Sequence, residues 1–458
     1  MVTAIKIAQG RAGNPIDILQ TVYDIPGQSI TSISSTRIVW GQTSNNIYTR
    51  DRIVIEGEGL GYNVFTGQFT GTITSVSVYP PIQIIGQEPP LVITDINQPV
   101  GPIAAALSDG NEAALMALLS SRGYDWGGSS GNDSFTGGAQ PDVLRGNAGN
   151  DLLNGGAGND YMAGGAGDDI YIVGAVGDET VELSSGGTDT VRSYLNWTLS
   201  DHIERLELLG SAVNGTGNAL NNTIVGNALN NVLNGAGGDD YMVGGAGDDT
   251  YIVAAVGDKT IEAAGGGTDT VRAYINWTLA ANVERLELLG SAQNGTGNAL
   301  NNTLVGNSLV NVLSGGDGND YIRAGAGNDV LNGGNGNDTL VGGAGADRLV
   351  GGAGHDTFVY EALADSRVGP TLRDTIEGFV HGQDKIGLSA LDANAGAAGN
   401  QAFTFIGSAG FSGVAGQLRY SAYGNTVIVD ADVNGDRVSD FQIAVTGTNF
   451  MAGTDFIL

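Results

Sequence analysis

Residues 155–172 read GGAGNDYMAGGAGDDIYI, two copies of a nine-residue unit, Gly-Gly-x-Gly-x-Asp-x-U-x, where U is a large apolar residue. No other feature restricts the fold so tightly. The glycines permit turn conformations that a Cβ forbids. The Asp ends the turn, and the alternation Asp160-Tyr161-Met162 then sends successive side chains to opposite faces of a short strand. A turn and a strand every nine residues make half a coil of a parallel solenoid, so two units close one full coil.

The unit recurs in register. Between 128 and 172, five copies place Asp133, Asp142, Asp151, Asp160 and Asp169 at position six and Phe135, Leu144, Leu153, Met162 and Tyr171 at position eight. A second array is degenerate: Asn222 and Asn231, and later Asn302 and Asn311, replace the Asp, while Leu220, Leu229, Leu300 and Leu309 replace the fourth-position Gly. Asp240 and Asp249 restore the pattern, and a third array carries Asp320, Asp329, Asp338, Asp347 and Asp356 with Ile322, Leu331, Leu340, Leu349 and Phe358 inside. A longer period lies over the short one, because 146–225 aligns without gaps on 226–305, with Asn-Trp-Thr-Leu at both Asn196 and Asn276. The strand-length alternation between Thr188 and Leu208 predicts that the solenoid continues there in wider, irregular coils. The two Asn-x-Thr triplets are read as repeat spacing and not as glycan acceptors.

Stacked strands lie about 4.8 Å apart, so aspartates one coil apart are expected to face each other. Two carboxylates about 5 Å apart at an effective dielectric of about 20 repel by roughly 3 kcal/mol. A row of them exceeds the stability of an ordinary domain, which calls for a divalent cation between them. Calcium suits the site: it takes six to eight oxygens in loose geometry, and the turns offer backbone carbonyls beside each carboxylate. Magnesium demands tighter octahedral geometry, and zinc prefers nitrogen or sulfur. The aspartates at position six are therefore the candidate ligands of several Ca2+ ions. The Asn turns are expected to stack through side-chain amides with little or no metal. Gln140-Pro141 interrupts the turn before Asp142, which is expected to coordinate less well. Near the C-terminus, Asp430, Asp432, Asn434 and Asp436 have the spacing of an EF-hand loop, with Phe441 where the bidentate Glu belongs and Asp440 as a substitute. A simple polar turn is the other reading.

With 49 acidic against 19 basic residues the net charge is -30, which argues strongly against nucleic acid and anionic membrane surfaces as partners and for bound cations. Without cysteine there is no disulfide or thiolate metal site. No apolar run is long enough to cross a bilayer, and the first residues lack a signal peptide's apolar core and cleavage site. Catalytic constellations are missing too. There is no H-E-x-x-H, and His202, His355 and His381 are isolated and read as structural. Residues 127–131 match G-x-S-x-G, yet Ser129 falls in the first repeat turn with no paired His, so it is rejected as a nucleophile.

The chain divides into four. Residues 1–79 form a β-rich domain, with strand-like runs at 37–40, 52–55 and 72–79. Residues 80–127 form a linker, holding six of the ten prolines by residue 102, and then a capping helix from Asp109 to Leu119 that ends before Gly123. Such a helix would cover the first open coil. The solenoid spans 128–359, and a β-rich cap spans 360–458.

The nonapeptide resembles the calcium-binding repeat of RTX (repeats-in-toxin) proteins, and it implies a right-handed parallel β-roll. From Asp374 the chain resembles the C-terminal part of serralysin-type secreted metalloproteases. The matching stretches are 384–389 (DKIGLS), 403–407 (FTFIG), 416–420 (GQLRY) and 436–441 (DRVSDF). The final Asp455-Phe456-Ile457-Leu458 is similar to that family's C-terminal secretion signal. The resemblance implies export by type I secretion machinery without cleavage of an N-terminal signal, and folding outside the cell. The expected protein is all-β, secreted and non-catalytic, with a cell-surface, adhesive or matrix role that leaves self-association open. The alternative is a secreted hydrolase whose active site lies in residues 1–126, with the roll as its export and folding module. A toxin is disfavoured, since no amphipathic or pore-forming stretch precedes the repeats.

Overall fold

The structure, a computed structural model, describes the backbone of five strands between residues 29 and 99, and residues 125–458 in full. The chain forms two compact units, Met1–Ala212 and Val213–Leu458.

In the first unit, Ser29–Ile33, Arg37–Gly41, Arg52–Asn63, Gln68–Tyr79 and Leu91–Pro99 make an antiparallel meander. Part of the proline-rich stretch read as linker is therefore strand. Pro80, Pro81, Pro89 and Pro90 precede this strand in sequence and Pro99 is its last residue, and the run between them is rich in β-branched residues. The expected capping helix lies outside the described residues. Val92 pairs antiparallel with Asp125, and from Asp125–Gly127 onward the pairing is parallel. One sheet then runs through Val143–Ala148, Tyr161–Ala166 and Glu179–Val181. The opposite sheet runs through Ser134–Thr136, Leu152–Asn154, Ile170–Val173, Thr190–Ser193 and Arg205–Leu208.

The register is that of an eighteen-residue coil: Leu144 lies opposite Met162, and Leu153 opposite Tyr171. Beyond Tyr171 the step changes, to Val191 and then to Leu206. The irregular segment is thus one wider coil followed by one narrower coil, where wide coils alone were expected. The second unit repeats this change of step at Tyr251, Val271 and Leu286. Its regular coils return from Thr303–Val305 to Thr357–Val359.

The core follows from the register. Leu144, Leu153, Met162 and Tyr171 in the first unit, and Ile322, Leu331, Leu340, Leu349 and Phe358 in the second, are all fully buried. Each buried side chain contributes about 1.5–3 kcal/mol by leaving water. Its neighbours are its equivalents one coil away, so stability accrues coil by coil.

At the C-terminal end, Asp374–Glu377 pairs parallel with Arg348–Ala353 on one side and Phe441–Thr446 on the other. The latter belongs to an antiparallel meander with Thr426–Asp432 and Gln417–Tyr423. The last strand, Phe456–Ile457, pairs with Lys385–Gly387. It is anchored by the buried Asp455, whose carboxylate accepts the Ala452 N–H at 2.7 Å and lies 2.8 Å from His381 Nδ1. Among the described residues the chain is all-β, with one 3-10 turn at Gly453–Asp455.

Candidate metal centres

From Asp151 onward the position-six aspartates are presented in the same way. One carboxylate oxygen accepts the backbone N–H of the equivalent residue one coil earlier. Asp151 Oδ1 takes the N–H of Asp133, Asp160 that of Asp142, and Asp169 that of Asp151, at 2.7–2.8 Å. In the third array Asp338 takes Asp320, Asp347 takes Asp329 and Asp356 takes Asp338, at 2.8–3.0 Å. This corrects the expectation of bare carboxylates facing each other across the strand spacing. Half of each carboxylate is already used in a charge-assisted bond that staples coil to coil.

The other oxygen tells the turns apart. Among the described residues, thirteen aspartates, including Asp151, Asp160, Asp169, Asp240, Asp249, Asp320, Asp329, Asp338, Asp347 and Asp356, keep a buried Oδ2 with no hydrogen-bond partner. All are at most 2% exposed. An unpaired buried carboxylate oxygen is among the costliest groups a fold can carry. The space beside it is shaped by glycine. An ideal Cβ on Gly315 would overlap Asp320 Oδ2 and stand 2.6 Å from the carbonyl oxygen of Gly333, one coil on. A carboxylate oxygen and a backbone carbonyl therefore converge on a point that only glycine leaves open. Glycines at positions two and four, such as Gly334 and Gly336 with φ of 115° and 133°, make the turn around it. The donors are oxygen only, charged and buried, and this chemistry fits calcium.

Burial is the main cause of the electrostatic tension. It pushes the carboxyls of Asp151, Asp160, Asp320, Asp329 and Asp356 up to about 6 and those of Asp169, Asp240 and Asp347 to about 7. The bond from the preceding coil's N–H opposes this, and neighbouring carboxylates add less than burial does. For Asp329 burial is the leading cause, opposed by the Asn311 N–H. Desolvation outweighs the mutual repulsion expected from spacing alone.

Other turns close with protein atoms. Asp133 Oδ2 accepts the N–H of Ser129 at 2.5 Å and the Ser129 hydroxyl, which gives that serine a capping place in the turn. Asp142 Oδ2 accepts the Gly138 N–H at 2.5 Å, in the repeat interrupted by Gln140-Pro141. The Asn turns are closed in the same manner. Asn222, Asn231, Asn302 and Asn311 accept the N–H of Asn218, Asn227, Asn298 and Asn307 at 2.7–2.8 Å. Asn302 Nδ2 also donates to the Val283 carbonyl at 3.1 Å, so its amide fills the place an ion would take.

Several ligand-type residues escaped the sequence reading. Asp189 and Asp269 carry the ladder across the wide coils, accepting the N–H of Asp169 and Asp249 at 2.8 Å, and each also keeps an unpartnered Oδ2. Asp374 does so after the last regular coil, where burial drives it to about 9. The available signal was Gly-x-Asp-x-U, present as Gly187-Thr188-Asp189-Thr190-Val191 but two residues out of register. Glu182 and Glu262 lie close to these ladders, and each forms a buried group with two of their aspartates.

The C-terminal loop divides. Asp432 takes the N–H groups of Gly435 at 2.7 Å and Arg437 at 3.0 Å, and Asp440 takes those of Val433 at 2.9 Å and of the Asn434 side chain at 3.2 Å. Asp436 Oδ1 accepts the Val438 N–H at 2.8 Å. Asp430 stands apart from the loop, paired with Arg419 at 3.3 Å and Gln442 at 2.8 Å. The histidines fill structural places: His355 Nδ1 lies 3.2 Å from the Gln383 carbonyl oxygen, and His202 occupies a turn at φ 68°. Asn276 Oδ1 accepts the N–H groups of Gln293 and Asn294, each at 2.9 Å, a structural use of its triplet.

Oxygen-lined glycine turns stacked in a parallel roll define a calcium-binding solenoid, and comparison with known families agrees. The model of the RTX calcium-binding nonapeptide repeat matches four times, at 127–162, 136–171, 146–179 and 216–251. That of the peptidase M10 serralysin C-terminal domain matches 265–458, so it takes in much of the second unit's roll as well as the cap. The chain is an RTX calcium-binding protein with a serralysin-type C-terminal domain, and secretion follows from that family. No curated protein matches it. Among solved structures, it is similar to the AlgE6R3 subunit of the Azotobacter vinelandii mannuronan C5-epimerase (26% identity, TM-score 0.19, 34% of this chain and 78% of that one). It is also similar to the AlgE6R2 subunit (25%, TM-score 0.21, 36% and 91%) and to the extracellular lipase LipA of Serratia marcescens (14%, TM-score 0.18, 96% and 83%). Likeness at this level carries no activity over. Among the described residues no helix is long and apolar enough to cross a membrane.

Proposed function

We propose that the unpartnered Oδ2 atoms hold calcium ions between coils, and that the chain is a non-catalytic protein that takes its shape on meeting calcium outside the cell. The observation that carries this is the row of thirteen buried carboxylate oxygens without a hydrogen-bond partner, beside glycine-shaped space. The assigned ligands are Asp151, Asp160, Asp169, Asp240, Asp249, Asp320, Asp329, Asp338, Asp347 and Asp356, joined by Asp189, Asp269 and Asp374. Asp133 and Asp142 bind less well, since their second oxygen is occupied by an N–H. The C-terminal group of Asp430, Asp432, Asn434, Asp436 and Asp440 serves as a polar turn. In this reading the tail at Asp455–Leu458 engages type I secretion machinery before the roll folds, and the folded roll serves at the cell surface, as an adhesive or matrix component. Support for the non-catalytic part is that His355 and His381 face structural partners and Ser129 caps a turn.

Circular dichroism of the full chain tests the coupling. Chelated protein at pH 8 should lack β structure and regain it on adding calcium, and a spectrum indifferent to chelator would overturn it. Assay of the calcium-loaded chain against protein, ester and polysaccharide substrates tests the non-catalytic part, which turnover of any of them would refute.

A further inference from the structure

Two places in the roll depart from the nonapeptide in the same way. Asp169, Glu182 and Asp189 are all buried, and one carboxylate oxygen from each lies within 4.8 Å of the others. Eighty residues on, Asp249, Glu262 and Asp269 form the same group. The glutamates have no counterpart in the nine-residue unit; each comes from the loop that widens its coil.

The surroundings of each glutamate are built. The hydroxyl of Tyr171, itself fully buried, donates to Glu182 Oε1 and accepts the Gly164 N–H at 2.7 Å. Tyr251 donates to Glu262 in the second group. An ideal Cβ on Gly164 would overlap Asp169 Oδ2 and Glu182 Oε1, and on Gly244 it would overlap Asp249 Oδ2 and Glu262 Oε1. Two carboxylates thus converge where the regular turn offers one. Oδ2 of Asp169, Asp189, Asp249 and Asp269, and Oε2 of Glu262, have no partner, whereas Glu182 Oε2 accepts the N–H groups of Leu183 at 3.1 Å and Gly165 at 3.2 Å. Calcium binds oxygen at about 2.3–2.6 Å, so ligands on opposite sides of one ion lie up to about 5 Å apart, and three oxygens within 4.8 Å fit a single coordination sphere.

We propose that each of these two groups, Asp169–Glu182–Asp189 and Asp249–Glu262–Asp269, holds one calcium ion with three carboxylates, more tightly than the single-carboxylate turns around it. Tyr171 and Tyr251 are positioning residues that fix the glutamate. The proposal rests on the calcium reading above. More charged ligands raise affinity for calcium, so these two ions enter first and each 80-residue repeat carries its own tight site.

The experiment is equilibrium dialysis of the full chain against buffered free calcium, with bound calcium counted by emission spectrometry. The chains are wild type, the double variant Glu182→Gln/Glu262→Gln and the control Glu179→Gln, which removes an exposed charge from the same coil. Two ions per chain should bind at least about tenfold more weakly in the double variant and be unchanged in the control. Glutamine has the shape of a protonated glutamate, so an isotherm identical to wild type means the glutamates are only buried hydrogen-bonding acids, and the proposal fails. Wild type that binds no calcium would instead sink the broader calcium reading. If the double variant does not regain wild-type β structure in excess calcium, Tyr171→Phe/Tyr251→Phe decides. Weakening of the same two ions supports the proposal, and an unchanged isotherm overturns it.

Discussion

Acid should do part of calcium's work. Burial raises Asp151, Asp160, Asp249, Asp320, Asp329 and Asp356 from 3.8 to about 6, and Asp169, Asp189, Asp240 and Asp347 to about 7. At pH 8 without metal, keeping each of them ionised in the folded roll costs about 3–4 kcal/mol relative to the unfolded chain. Ten such groups exceed the roughly 5–15 kcal/mol that holds an ordinary domain together, even if coupling halves the sum. Because the folded values lie above the unfolded ones, the associated stability is complete below about 3.8 and is lost as pH rises through 6–7. The ion-free chain should therefore be unfolded at pH 8 and regain β structure as pH falls from 7 to 5, above its isoelectric point of about 4.1. The assay is far-ultraviolet circular dichroism in chelator across that range, compared with the calcium-loaded spectrum at pH 8. A chelated chain as unfolded at pH 5 as at pH 8 would refute the assignment of the unfolding force to buried carboxylates. So would a chelated chain fully folded at pH 8.

Other perturbations separate the parts of the site. Gly333→Ala puts a methyl against Asp338 Oδ2 and the Gly351 carbonyl, whereas nothing lies within 4 Å of an ideal Cβ on Gly127. The first change should lower bound calcium and cost about 1–3 kcal/mol in calcium, while Gly127→Ala should do neither, as thermal melts and calcium counting will tell. Asn311→Asp turns an amide that donates to the Gln293 carbonyl at 3.3 Å into an oxygen facing another oxygen. It should destabilise by about 1–3 kcal/mol with no gain in calcium bound per chain. Leu340→Ala, at a fully buried position eight, should cost about 2–5 kcal/mol in calcium, read by thermal or denaturant unfolding.

Much of this was legible in the sequence, since a nine-residue period fixes both the strand register and the inward residue. Leu144, Met162, Leu331 and Leu349 are buried where the period puts them. Which aspartates need an ion was not legible. Asp142 and Asp160 share a position, yet Asp142 Oδ2 meets the Gly138 N–H and Asp160 Oδ2 meets nothing, a difference set by turn geometry. Asp189 and Glu182 were hidden because their coil is two residues longer than the period that revealed the others. The position-five ladder was hidden for another reason. Asn150 Oδ1 accepts the Asp168 N–H at 3.0 Å and Asn319 Oδ1 the Asn337 N–H at 2.7 Å, so a residue that reads as surface filler joins successive coils. The partner of Asp430 was not legible either, because spacing along a strand says nothing of the arginine across it: Arg419 pairs with its carboxylate.

On the proposed reading, buried carboxylate oxygens left without a protein partner mark where the ions sit. A crystal structure grown in excess calcium, with anomalous scattering recorded at long wavelength, tests it most directly. Peaks should stand beside Oδ2 of Asp151, Asp160, Asp320, Asp329, Asp338 and Asp347, and none beside Asn222, Asn231, Asn302 or Asn311. Empty aspartate turns, or equal peaks at the asparagine turns, would contradict it.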